Sequence, residues 1–306
     1  MVRWLGRFGR LLIGAGLLML LFVGYQLWGT GLVEARAQGD LVEEFERFVD
    51  TPRVESVDAP GPPDSRAEST PAKNGGPTWP VSLDEGSALA RLRIPSIDVD
   101  KVVVEGVGRG DLRRGPGHYP GTVLPGQAGN SAIAGHRTTY GAPFFRLDEL
   151  DPGDEVLIDT PAGEVRYVVS NSEIVAPTQV DVLEDVGDNR LTLTTCNPRY
   201  SAAERLIVTA ILDPTEEPAS AVVTTATSES AAPSLERQTL DESPEGRPGR
   251  LPVVLWGFAT VLVGAAIWFL GRRWRRWPSY LLGSPVFLIV LFVFFEHLNR
   301  LLPPSV

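Results

Sequence analysis

The chain contains a single cysteine, Cys196, in 306 residues. It closes the run Leu191-Thr192-Leu193-Thr194-Thr195 and is followed at once by Asn197-Pro198, where strand pairing stops and a side chain can face a cleft. The next apolar run, Arg205-Leu206-Ile207-Val208, begins nine residues on, after a connection rich in turn formers. Two antiparallel strands joined this way bring the last residue of one close to the first of the other, so Arg205 is expected beside Cys196. His136, 60 residues upstream, likewise closes a run, Ser131-Ala132-Ile133-Ala134-Gly135. A cysteine attacks as its thiolate, and an adjacent imidazolium both favours that charge and can later protonate a leaving amine. A fixed guanidinium then offers directed donors to the oxyanion of a tetrahedral intermediate. Cys196, His136 and Arg205 are thus a complete set for acyl transfer, against the alternative that Cys196 is an inert, packed thiol.

Other residues compete for these roles. Arg199 is the rival arginine, but its place inside the turn aims it away from both strand ends. His118, in Gly117-His118-Tyr119-Pro120-Gly121-Thr122, is the rival base. A loop histidine of this kind more often packs or lines a substrate groove, and His118 and Tyr119 are read as candidate substrate-binding residues. Thr195, next to the nucleophile, is a third candidate for the groove or the oxyanion site, or else an ordinary strand residue. His297 adjoins an apolar run and is read as interfacial. The three histidines are widely separated and there is one cysteine, so no zinc site is expected.

The elements that must position these residues are short and β-branched. ARLRIPSI, VDKVVVEGV, NSAIAGH, EVLIDT, EVRYVVSNSEIV, RLTLTTC and RLIVTAIL read as strands bounded by Gly, Pro, Asn or Asp, all within residues 87–212. Helix is expected only near Gly110–Arg114 and over Ala142–Leu150. Seven or eight strands with little helix predict a mainly β domain, a barrel or sandwich.

Around this domain the composition changes. Residues 54–80 and 213–248 are dense in Pro, Ser, Thr, Ala, Gly and acid, without a sustained apolar period, and read as flexible tethers. Residues 29–86 as a whole read as stalk and linker, with an amphipathic stalk helix over Leu41–Val49. The apolar runs at 11–28, 253–270 and 280–296 predict three transmembrane helices, a span needing about 20 residues. The third is short and contains Pro285, which leaves a re-entrant segment as its alternative. Ala35-Arg36-Ala37 could mark a cleaved signal peptide, but the first run is longer than such a segment needs. The basic tail 1–10 and the loop 271–279, with Arg272, Arg273, Arg275, Arg276, Trp274 and Trp277, both mark the inner face. Residues of about 30–250 are therefore expected outside the cell membrane of a multi-pass protein. A net charge of −10 and only two lysines, Lys73 and Lys101, exclude a nucleic-acid binder.

The stretch Thr192-Leu193-Thr194-Thr195-Cys196 with Arg205-Leu206-Ile207-Val208 resembles the signature of sortases, the membrane-anchored cysteine transpeptidases of Gram-positive bacteria. Gly117-His118-Tyr119-Pro120-Gly121-Thr122 and Asn130-Ser131-Ala132-Ile133-Ala134-Gly135-His136-Arg137 extend the resemblance over nearly all of residues 88–212, and within the family both look most like class E of actinobacteria. The resemblance implies an eight-stranded sortase-type barrel with short helices, flanked here by the transmembrane helices. It implies Cys196 as nucleophile, His136 as acid and base, and Arg205 as transition-state stabiliser. It also implies partners: secreted proteins with a carboxyl-terminal sorting motif of Leu-Ala-x-Thr-Gly or Leu-Pro-x-Thr-Gly type, a peptidoglycan-precursor amine as acceptor, and the lipid bilayer. No cofactor is implied; class A members can use calcium, but no matching acidic constellation is present. A carboxyl-terminal membrane segment is commoner in class C, so a pilin polymerase using a lysine amine is one alternative reading, and a non-catalytic membrane scaffold with the same barrel is another.

Overall fold

The computed structural model describes residues 2–50, 84–215, 250–273, 276–299 and 301. The tethers expected over 54–80 and 213–248 lie outside the described residues except for 213–215, and so do the side chains at 274–279. The chain forms two compact units, Val33–Ser243 and the combination of Met1–Leu32 with Pro244–Val306.

Eight strands close a barrel: β1 (Ala88–Ile94), β2 (Val99–Glu105), β3 (Gly117–His118), β4 (Asn130–Ala134), β5 (Glu155–Thr160), β6 (Gly163–Val175), β7 (Arg190–Asn197) and β8 (Glu204–Leu212). Their order around the barrel is β1-β2-β3-β4-β7-β8-β6-β5. The β2–β3 and β4–β7 pairs are parallel and the others antiparallel. Alternation along the strands sends Leu92, Ile94, Ile133, Ile158, Leu191, Leu193 and Val208 into one apolar core, where each is fully buried. Tyr167 is the largest polar-ended side chain there; its hydroxyl accepts a hydrogen bond from the Gly126 amide at 2.7 Å.

Helices α1 (Val2–Gly24) and α2 (Thr30–Asp50), with a π-helical turn at Tyr25–Gly29 between them, precede the barrel, and the short α3 (Arg109–Leu112) follows β2. The turn expected near Gly110–Arg114 is α3. The helix expected over Ala142–Leu150 is instead a series of turns with one 3-10 turn at Leu147–Glu149. Tyr140, Gly141 and Ala142 have φ of +49°, +72° and +45°, left-handed values from which a right-handed helix cannot start. Phe144, Leu147 and Leu150 are spaced as on a helix because all three turn into the barrel core.

Helix α2 is longer than the stretch Leu41–Val49 that sequence spacing marks, and it lies on the barrel. Leu41 and Phe45 pack with Ala88, Val102 and Val104. The Gln38 amide donates to the Val102 and Arg114 carbonyls at 2.9 and 2.8 Å and accepts from the Val102 amide at 2.8 Å. The Ala88 amide donates to Glu44 at 3.0 Å. These contacts satisfy backbone groups on the outer face of β1 and β2, so this helix covers the barrel wall.

The second unit contains α1, α4 (Arg250–Arg273) and α5 (Arg276–Asn299). α5 runs unbroken through Pro285. Gly257, Gly264 and Gly271, seven residues apart on α4, face Phe294, Phe287 and Tyr280, seven apart on α5. A Cβ at these glycines would stand 3.1, 3.4 and 3.2 Å from the opposing rings, so the absent side chains let the two antiparallel helices approach. Three helical stretches, Leu12–Val49, Arg250–Arg273 and Tyr280–Asn299, are long and apolar enough to cross a membrane.

Candidate active site

Strand register builds the site. β7 and β8 pair antiparallel with Cys196 directly opposite Arg205, the neighbourhood their connection predicts. β4 and β7 run parallel with Ala134 opposite Thr194. Beyond that pair the alignment is held by the Gly135 amide, which donates to the Thr194 carbonyl at 3.0 Å, and by the Thr195 hydroxyl, which donates to the Gly135 carbonyl at 2.7 Å. Cys196 lies two residues past Thr194 on β7, and His136 two past Ala134, just beyond the end of β4, so the register brings both to the same level. Cys196, His136 and Arg205 therefore stand at one rim of the barrel.

Each has a distinct environment. Cys196 is a half-buried thiol that forms no disulfide. Arg205 is 4% exposed and its Nη1 donates to the Ala202 and Glu204 carbonyls at 3.1 and 3.0 Å, which fixes the guanidinium against the β7–β8 connection. His136 is half-buried, with the Tyr140 ring tilted against it at a centroid distance of 5.3 Å. Desolvation, reinforced by the positive charge of Arg113, pushes its imidazole down to about 4. The ring thus rests neutral at neutral pH and is ready to accept a proton.

His118, Tyr119 and Thr195 are enclosed by protein. His118 is 1% exposed, with Nδ1 at 2.8 Å from Glu105 Oε2 and Nε2 at 3.0 Å from both the Val123 carbonyl and Thr122 Oγ1. Its ring is a strut between β3, β2 and the loop that follows, away from the Cys196 rim in register, since His118 pairs with Ile133. Tyr119 is 3% exposed and its hydroxyl lies 3.2 Å from Thr194 Oγ1. Thr195 is buried, its hydroxyl spent on Gly135. Arg199 sits over the Phe145 ring at 4.4 Å and pairs with Asp148 at 2.8 Å.

Sequence reasoning assigned no role to Arg137. Its Nη1 donates to the Cys196 carbonyl at 3.1 Å and to Asn197 Oδ1 at 2.8 Å, and its Nη2 pairs with Asp148 at 3.0 Å. The side chain is only 3% exposed. The residue after His136 thus ties the chain leaving β4 to the end of β7 that carries the thiol. The available signal was an arginine directly following a strand-end histidine; its partner 59 positions away was not legible.

A closed eight-stranded barrel presenting one thiol, one imidazole and one guanidinium at a single rim defines a cysteine-centred barrel protein. The sortase-domain family profile matches residues 92–213. Sortase SrtE1 of Streptomyces coelicolor is 35% identical over 216 residues, 65% of this chain and 54% of that relative, so the match spans about half of its length. Sortase SrtE2 of the same organism is 30% identical over 227 residues, 68% of this chain and 82% of that relative. Among solved structures, sortase E from Streptomyces avermitilis is 39% identical, covering 43% of this chain and 91% of that one, with a TM-score of 0.39. The chain belongs to the sortase family, whose members are cysteine transpeptidases acting on sorting-motif substrates. The class E resemblance read from its motifs agrees with these relatives.

Proposed function

We propose that this sortase is an extracytoplasmic, membrane-anchored transpeptidase that cleaves a sorting motif between Thr and Gly and passes the acyl group to a cell-wall precursor amine. The observation that carries the proposal is the registration of Cys196 with Arg205 across β7–β8 and with the His136 end of β4. Neutral His136 takes the thiol proton as Sγ attacks the Thr carbonyl carbon. The Arg205 guanidinium, fixed by the loop carbonyls, faces the developing oxyanion, where preorganised charge is worth most. Protonated His136 returns its proton to the departing Gly nitrogen, and a thioacyl-enzyme remains. An acceptor amine then attacks the thioester, loses a proton to His136, and Cys196 leaves and is reprotonated. Each proton is thus held by one imidazole through both half-reactions.

The motif proposed is of Leu-Ala-x-Thr-Gly type, supported by the class E relatives, with Leu-Pro-x-Thr-Gly second. The basic amino terminus and the Arg/Trp loop support a topology with residues of about 30–250 outside and both loop and terminus inside. The test is incubation of the full chain in detergent micelles with motif peptides and a peptidoglycan-like or lysine-side-chain amine. Release of the Gly-containing tail with formation of the amide is expected, and Cys196→Ala should abolish both. Labelling of Cys196 in intact cells by a membrane-impermeant thiol reagent should accompany it. Cleavage that persists without Cys196 would sink the mechanism, and preference for the lysine amine would favour a pilin polymerase.

A further inference from the structure

The geometry points to Glu34, on helix α2 ahead of the barrel, as a positioning residue for His136 that acts through the Tyr140–Ala142 turn; this rests on reading His136 as the acid and base.

The turn is strained. Tyr140, Gly141 and Ala142 adopt left-handed φ in succession, and two of them carry side chains that disfavour it. Such conformations persist only where the surroundings fix them. From within the loop they are held by the Ala142 amide donating to the Thr139 carbonyl at 2.9 Å and by the Phe144 amide donating to the His136 carbonyl at 3.1 Å. Tyr140 is the residue whose ring rests on the His136 imidazole, and Arg113 lies 5.6 Å from the centre of that ring. The backbone at 140–142 therefore decides where the wall beside His136 stands.

Glu34 bears on that backbone from outside. Its side chain is 2% exposed and its Oε1 lies 2.7 Å from Lys101 Nζ on β2. The carboxyl group fills the space beside Gly141: a Cβ added there would lie 2.6 Å from Glu34 Cδ. A glycine is needed at 141 both for φ and for this approach. Docking of α2 does not require the carboxylate, because Leu41, Phe45, Gln38 and Glu44 already secure the helix. A buried ion pair adds little to stability over a packed apolar pair and is better suited to fixing one conformation. Lys101, Glu34, Gly141, Tyr140 and His136 thus form a chain of touching groups from β2 to the base.

The test uses the full chain in detergent micelles, with Glu34→Ala and the milder Glu34→Gln, read by kcat and KM for peptide transfer and by the ring resonances of the three histidines. Glu34→Ala is expected to lower kcat by roughly three- to thirtyfold, with KM within about twofold, and to move the His136 signal while those of His118 and His297 stay. Glu34→Gln should move both in the same direction by less. Gly141→Ala should also lower kcat, and its effect should be smaller on top of Glu34→Ala than alone, since the collision partner is gone. A His136 signal and a kcat unchanged in both Glu34 variants would overturn the proposal. If Glu34→Ala shifts all three histidines through unfolding, Glu34→Gln decides. If the wild-type chain transfers no peptide, the transpeptidase reading fails, and the His136 resonance alone then decides the positioning role.

Discussion

Arg137 shows how a residue that need never touch substrate can decide whether a site works. It holds the Cys196 carbonyl, the Asn197 side chain and Asp148 with one planar fork, which an ammonium cannot reproduce. Arg137→Lys should lower kcat by about tenfold or more, with KM little changed, and should cost about 1–3 kcal/mol in unfolding free energy. His136 gives a second prediction. Its folded value near 4 lies below the ordinary 6.5, so between these pH values the unfolded chain binds a proton that the folded chain does not. Stability is therefore lost as pH falls from about 6.5 to about 4. The loss should be on the order of 3 kcal/mol, and His136→Gln should flatten that part of the curve in denaturant titrations. The three residues proposed to react were legible in the sequence because each stands at the end of an apolar run, where spacing alone says something about position. Arg137 and Glu34 were not, because their partners are brought to them only by closure of the barrel.

Elements differ in how openly they announce themselves. Seven of the eight strands could be read to within two or three residues, and EVLIDT for β5 to the residue, since alternation and turn formers bound them, whereas the two-residue β3 at Gly117–His118 read as loop. The segment 142–150 misled because three buried residues at helical spacing can equally be the inward side chains of successive turns. Helix α2 was readable as a helix but not as part of the barrel, since amphipathic spacing says that a face is covered and not by what. Its anchor is Leu41, which is fully buried. Leu41→Ala should destabilise the Val33–Ser243 unit by about 2–5 kcal/mol in chemical denaturation, with Cys196 labelling retained below the transition.

At the scale of the whole molecule, a barrel that is mostly antiparallel contains a parallel β4–β7 pair, with Cys196 on β7 and His136 two residues beyond the end of β4. Both strands run toward the same rim, so His136 and Cys196 are the points at which the chain leaves the barrel in the same direction. Everything between them, residues 137–189, is an excursion that departs from the rim and re-enters at the foot of β7. The β5–β6 turn at Thr160–Gly163 belongs to that excursion and lies at the opposite rim from the thiol, as the registers of β6 with β8 and of β8 with β7 require. The number of residues separating the catalytic pair is therefore decoupled from the distance between them. Three or four Gly and Ser residues inserted after Pro161 should leave peptide transfer within about twofold of the wild type, because loop closure grows only slowly with length. Such an architecture leaves the connections free to diverge in length and composition while the reacting atoms stay where two strand ends put them.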